Sequence, residues 1–226
     1  MNCGNGEISK GSKGILIATL LALVALVIFS CDSSPTQSTE DTALYFPGRP
    51  GSVWVYQQSV PLTNLFCDTI CDSLTRVVFD SLGLSYAEFR ESSSQSGSTA
   101  YFYQRINSDT VVSYWNSVIR DSGSYPRNMF VLPFDSGDRW ADTRLFAVDT
   151  YSVVGTEQIS EPATGPRKAI RIHRRHHMLN SYLSEDYWFV EGVGIVRDSS
   201  IDISLPRVRR LISYRFPRPR IRALSR

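Results

Sequence analysis

The chain has 226 residues, 42% of them hydrophobic and 12% aromatic, and a formal net charge of +2. That length sets one or two domains, and the apolar content excludes an intrinsically disordered chain. The small net charge conceals an asymmetry. Residues 31 to 206 carry 14 basic against 21 acidic side chains, whereas Arg207 to Arg226 holds eight arginines and no acid. That basic tail lacks the interleaved aromatics of a nucleic-acid platform, so it reads as a solvated terminus over 217–226, with no nucleic acid as partner.

At the N-terminus, Lys10 and Lys13 precede an uncharged apolar run from Gly14 to Phe29, followed by Ser30 and Cys31. A basic start, a short apolar core and a small residue before the cut describe a secretory signal over 1–30. The run is short for a membrane-spanning helix, which needs about 20 apolar residues. Ile28-Phe29-Ser30-Cys31 resembles the lipobox of bacterial lipoproteins, although Phe29 is bulkier than that motif usually carries. The resemblance implies that Cys31 becomes the lipidated first residue of a chain held on a membrane of the cell envelope, inner or outer left open. Residues 31–43, rich in Ser, Thr and acids, form a polar tether.

From residue 44 to 216 the sequence predicts one mainly-β domain. Tyr, Phe, Val and Ile are plentiful while Lys and Ala are sparse, which favours strands. Period-two runs bounded by Gly, Pro, Asp and Ser predict strands near 52–60, 76–81, 99–106, 110–119, 128–134, 144–158, 167–177, 182–191, 194–199 and 207–216. One stretch reads differently. Leu62, Leu65, Phe66, Ile70 and Leu74 recur at helical spacing after Pro61, predicting one short helix laid on the sheet. Cys67 and Cys71 sit within it. In an oxidising compartment a disulfide is the leading reading, although i,i+4 positions on a regular helix suit one poorly. Free thiols, or a two-cysteine metal contact lacking further ligands, are the alternatives.

Further along, Asp-Ser-Gly occurs at 121–123 and at 135–137. These tripeptides read as turns, because two such loops 14 residues apart cannot easily make a symmetric carboxylate pair. An internal echo is present: Pro47-x3-Gly51-x2-Trp54 recurs as Pro133-x3-Gly137-x2-Trp140, 86 residues later. It is either a chance match of three positions or the trace of a duplicated unit. In the 167–177 strand, Ile170 and Ile172 share one face while Arg167, Arg171, His173 and Arg175 share the other. His173 and His177 fall on one face about 13 Å apart, and His176 points oppositely, so the three histidines predict no metal site. In 209–216, Ile212, Tyr214 and Phe216 oppose Arg209, Ser213 and Arg215.

The domain resembles a group of uncharacterised envelope lipoprotein domains. The resemblance rests on Tyr45-Phe46-Pro47 leading to Gly51-Ser52-Val53-Trp54-Val55-Tyr56, on Val154-Gly155-Thr156-Glu157, Pro162 and Lys168-Ala169-Ile170-Arg171-Ile172, and on the run from Tyr187 to Val196 with Leu211-Ile212-Ser213-Tyr214. It implies a curved antiparallel sheet, a half-barrel or open barrel similar to periplasmic lipoprotein carriers, and no established activity.

No Gly-rich phosphate loop, G-x-S-x-G elbow or H-E-x-x-H motif occurs. The expectation is therefore a non-enzymatic protein without cofactor or metal. Trp54, Tyr56, Trp115 and Trp188, with Tyr101, Tyr103, Tyr114 and Tyr187, are either the lining of a concavity for a lipid or other hydrophobic ligand or an aromatic-rich core. The alternative function is a protein- or cell-wall-interaction module working through the Arg-rich face of Arg167, Arg171 and Arg175.

Overall fold

Hydrophobic periodicity of two dominates because each strand has one face turned to an interior and one to water. The computed structural model describes residues 45–61, 65–107, 109–115, 126–143, 147–178, 181–201 and 206–217. The signal segment, Cys31, the tether and the basic tail lie outside the described residues, as does the first Asp-Ser-Gly. The described chain folds into strands β1 (Val53–Val60), β2 (Leu65–Phe79), β3 (Ser85–Ser93), β4 (Thr99–Asn107), β5 (Thr110–Trp115) and β6 (Pro126–Val131). The series continues with β7 (Arg139–Thr143), β8 (Ala147–Glu161), β9 (Gly165–Met178), β10 (Ser181–Val190), β11 (Gly194–Ile201) and β12 (Arg207–Arg215).

All twelve belong to one antiparallel sheet in the order β6-β5-β4-β3-β2-β1-β12-β11-β10-β9-β8-β7. The sheet curls into a nearly closed barrel, in line with the expected curved antiparallel fold. It consists of two six-stranded meanders, β1–β6 and β7–β12, joined through the β1–β12 ladder. The two end strands, β6 and β7, face each other across a seam. There, Met129 of β6 uses its N–H to donate to the Tyr151 hydroxyl at 3.1 Å and its carbonyl to accept from Trp140 Nε1 at 2.9 Å.

The echoed Pro-x3-Gly-x2-Trp segments open the two meanders. Gly51 and Gly137 have φ of +93° and +94°, a left-handed backbone that glycine adopts without steric penalty. The hydrogen bonds around them match. Ser52 N–H donates to Arg49 C=O at 2.9 Å, and Asp138 N–H to Asp135 C=O at 3.0 Å. Gly51 N–H donates to Leu74 C=O, whose own N–H donates to Ser52 C=O. Gly137, Val153 and Asp138 repeat that pair of bonds.

The interior holds two apolar clusters. One gathers Trp54, Tyr56, Phe89, Phe102 and Leu211. The other gathers Val111, Phe130, Tyr151, Ile172 and Phe189, with Phe46 packed against it. The Phe46 ring lies 5.8 Å from Phe130 and 5.5 Å from Phe189, so the segment leading into β1 plugs the barrel.

The helix expected after Pro61 is not formed; β2 runs through Leu65–Phe79. The reason lies in its inward face. Asp68, Ile70, Asp72 and Leu74 alternate acid with aliphatic at every second residue, so the apolar positions recur every four. That spacing suits a helix as well as a strand. Two strands were also not expected, β3 and β7. The former turns Ala87, Phe89 and Glu91 inward and buries Tyr86 and Glu88 on its other face, so polar and apolar residues mix on both sides and the alternation is masked. Cys71 on β2 is unbridged. Cys67 belongs to the same extended strand, where i,i+4 positions lie about 13 Å apart, beyond the reach of a disulfide.

Candidate functional site

Two regions gather polar and aromatic groups: a cavity inside the barrel and a groove on its outer face. The cavity, about 100 Å³, is walled by Trp54, Tyr56, Phe89, Phe102 and Phe130, and covered by Tyr45, Phe46 and Gly48. Its polar groups are Asp72, Gln104, Ser113, Asn128, Tyr187, Asp198 and Arg209. Trp54 is fixed by donating Nε1–H to Val193 C=O at 2.9 Å, and Tyr56 by donating its hydroxyl to Ile195 C=O at 3.0 Å.

Arg209, 8% exposed, donates Nε–H to Asp198 at 2.7 Å, reaches Glu91 at 3.4 Å and lies 5.7 Å over the Tyr56 ring. Burial works against its charge, but Asp198, Asp72 and Glu91 more than reverse that and hold the guanidinium protonated. The alternation in 209–216 places Arg209 on the wet face; a bulge at Ile212 corrects this. Tyr56 pairs with Leu211 and Val55 with Ser213, which turns Arg209 and Leu211 to the buried side.

A second buried network continues from the cavity. Tyr187 donates its hydroxyl to Glu185 at 2.6 Å and accepts from Asn128 Nδ2 at 3.4 Å. Arg174 bridges Glu185, at 2.6 Å, and Asp149, at 3.0 Å, and Asp149 also contacts His176 Nδ1 at 2.7 Å. Burial, reinforced by Glu185, pushes the Tyr187 phenol well above its ordinary range, so it stays a donor. Arg174 and His176 continue the inner face of Ile172, while Arg171, His173 and Arg175 face outward as the alternation predicts. His177 packs its ring against Tyr182.

Of the aromatics expected to line a concavity, Trp54 and Tyr56 wall the cavity and Trp188 does not. Trp188 points away from Tyr187, donates to Glu157, and is sandwiched between the guanidinium groups of Arg171 and Arg197 at 5.3 and 5.2 Å. It lies under the tip of the β8–β9 hairpin, which is fastened by an ion pair from Glu161 to Arg197 and a hydrogen bond from Ala163 N–H to Leu211 C=O. The Trp115 side chain lies outside the described set. The acids and amides of the cavity escaped the sequence reading, although Asp68-x-Ile70-x-Asp72-x-Leu74 was a period-two signal that could have found Asp72.

The outer groove, about 530 Å³, crosses β7, β8 and β9 beside the seam. Its outward-facing residues are Arg139, Ala141, Thr150, Ser152, His173 and Arg175. The small residues leave the space, and the larger ones rim it. Arg175 Nε–H donates to His173 Nε2 at 3.3 Å, which requires the other ring nitrogen to carry the proton donated to Asp186 at 3.0 Å. That relay holds Arg175 by its Nε and leaves its terminal amino groups to the groove. Arg171 is engaged by Asp186 in a bidentate pair at 3.0 and 3.1 Å.

No family model matches the chain, and no curated protein does. Two solved structures are similar. A "putative lipoprotein" from Parabacteroides distasonis superposes with a TM-score of 0.51 at 14% identity, over 76% of this chain and 98% of its own. A "putative exported protein with YmcC-like fold" from Bacteroides fragilis gives a TM-score of 0.49 at 11% identity, over 76% and 99% of the two chains. At such identities the Parabacteroides match is a likeness of fold.

Proposed function

We propose that this chain is a membrane-anchored lipoprotein of the bacterial envelope whose barrel binds an anionic envelope polymer through the outer groove. The lipobox-like Ile28-Phe29-Ser30-Cys31 and the fold shared with a protein named as a lipoprotein support the location. The observation that carries the binding reading is the contrast in space. The interior cavity of about 100 Å³ suits a handful of water molecules and not an acyl chain, so the lipid-carrier reading loses its container. The groove of about 530 Å³ falls in the range of ordinary ligand sites, roughly 300–1,000 Å³. Two guanidinium groups, one of them held in place by the His173 imidazole, and two hydroxyls over a floor of small residues are donors matched to carboxylate or phosphate.

Retention of the full chain, in detergent micelles, on immobilised polygalacturonate against neutral dextran tests this. The expected result is selective retention that disappears at about 0.5 M salt, where screening shortens to a few Å, and in an Arg139→Glu/Arg175→Glu variant. Equal retention of the charge-reversed variant overturns the groove. Location is tested separately by Cys31→Ser, which is expected to abolish radiolabelled palmitate incorporation and release the chain from the membrane fraction.

A further inference from the structure

The strand registers bring the chain into the barrel and out of it at one mouth. Val53, the first residue of β1, is level with Ser73 of β2 and with Arg215, the last residue of β12. Tyr45 and Pro217 therefore lie toward the same end, and Pro217 is 3.5 Å from a Cβ added at Gly51. Past Ser73, β2 runs on to Phe79 and turns back into β3, so the β2–β3 hairpin stands beyond the start of β1. The β4–β5 hairpin rises beside it, since Gln104 is level with Ala87 and β4 continues to Asn107.

These hairpins carry apolar side chains into water. Leu82, in the β2–β3 turn, is 81% exposed, Phe79 68% and Val77 48%, and Ile106 of the neighbouring hairpin is 49% exposed. Val77 and Phe79 pair with Ala87 and Ser85, so they continue the inward row of the sheet but at this height are open to solvent. The turn is fixed. Asp80 accepts hydrogen bonds from Leu82 N–H at 2.9 Å, Leu84 N–H at 2.8 Å and the Tyr86 hydroxyl at 3.1 Å, which turns its carboxylate into the hairpin. Single exposed apolar residues are ordinary, whereas a fixed tip carrying three of them is a contact surface.

The chain at this mouth says what the tip contacts. Residues 218–226, which follow Pro217, carry four arginines and no acid, and the residues before Tyr45 include Ile28-Phe29-Ser30-Cys31. Apolar side chains beside a basic segment match an anionic bilayer surface, with acyl chains beneath phosphates. The far end of the barrel also exposes Met178, Tyr182 and Ile201, but the chain neither enters nor leaves there.

We propose that the barrel docks by this mouth on an anionic lipid bilayer, with Leu82 and Phe79 seated among the acyl chains and the arginines of 218–226 against the phosphates. The docking rests on the membrane location of the lipoprotein reading and not on the outer groove.

The test is tryptophan quenching in the full chain, reconstituted with vesicles of phosphatidylglycerol and brominated phosphatidylcholine. Leu82→Trp and Phe79→Trp each place an indole at the exposed tip, and Tyr182→Trp places one at the far end; the parent chain supplies the background of its own tryptophans. The tip indoles are expected to lose most of their added fluorescence and the far-end indole none. The loss should shrink when brominated phosphatidylcholine alone forms the vesicles. Flotation of the chain with the vesicles reports anchoring separately. A chain that floats with its tip quenched no more than Tyr182→Trp overturns the docking and leaves the location standing, whereas a chain that does not float overturns both. Equal quenching in the neutral vesicles overturns the part given to the arginines.

Discussion

The meanders β1–β6 and β7–β12 open with the same turn yet close differently. In both, a left-handed glycine lets the chain pivot and a tryptophan follows three residues later, sending its indole N–H across to the opposite half. Trp54 reaches Val193, and Trp140 reaches Met129. At the β1–β12 junction the indole supplements a full backbone ladder. At the β6–β7 seam it stands in for one, together with the Tyr151 hydroxyl. The halves also bury charge differently. Glu88 of the first half is met by Arg76, whose side chain is 69% exposed. In the second half Asp149, Arg174 and Glu185 are paired away from solvent. One six-stranded plan can thus carry a surface ion pair or an internal one, and which it carries sets what each half loses on mutation.

The contrast is broken most strongly at Arg174. Arg174→Met takes from the buried Asp149 and Glu185 the guanidinium they share and is expected to cost about 3–5 kcal/mol in denaturant unfolding. Arg76→Ala, at its exposed counterpart, should cost less than about 1 kcal/mol. Equal losses would mean that the internal pair is hydrated. Phe189→Ala, which removes a fully buried ring contacting Phe46, Phe130 and Phe134, is expected to cost about 3–5 kcal/mol in the same assay. The two indoles sharpen the comparison further. Trp140→Phe should cost about 1 kcal/mol and Tyr151→Phe should speed amide exchange at Met129, whose N–H the Tyr151 hydroxyl holds, whereas Trp54→Phe should leave the β1–β12 amides protected.

Gly51→Ala and Gly137→Ala test whether the two turns are equivalent. Open space surrounds Gly137, and Pro217 lies 3.5 Å from a Cβ added at Gly51. Each is therefore expected to lose about 1 kcal/mol, from backbone strain alone. The smallest effect is acid sensitivity of the first half. Burial opposes ionisation of Glu88, but hydrogen bonds from Arg76 and Thr75 outweigh it and hold the carboxyl below its ordinary value. A depressed folded-state value means stability that is present above the unfolded-state value and lost as pH falls through the folded one. Glu88→Gln should accordingly melt lower than the parent at neutral pH and equal it in acid.

The strand-rich architecture was legible because most strands keep one clean apolar face, as 167–177 does with Ile170 and Ile172. It failed where the barrel turns polar groups inward. β2 hides its alternation behind Asp68 and Asp72, and β3 hides its own behind Glu91, which reaches the buried Arg209. The bulge at Ile212 shifts the phase of β12, so Arg209 reads as solvent-facing while it is buried. Asp72 and Arg209 are among the residues that line the cavity, which is why the sequence yielded three of its aromatics, Trp54, Tyr56 and Tyr187, and none of its charged groups. The outer groove was half visible: Arg175 and His173 stood out, while Arg139 belongs to a strand too short to show a period.

The arrangement at Met129 has a bearing on solubility. A sheet that ends in two free edges offers each as a template on which another chain can add a strand, the usual route to aggregation. Here the two edges face one another, and on Met129 both backbone groups are already claimed by side chains that cannot propagate a ladder. The barrel thereby stays open along one line without advertising it to neighbouring copies.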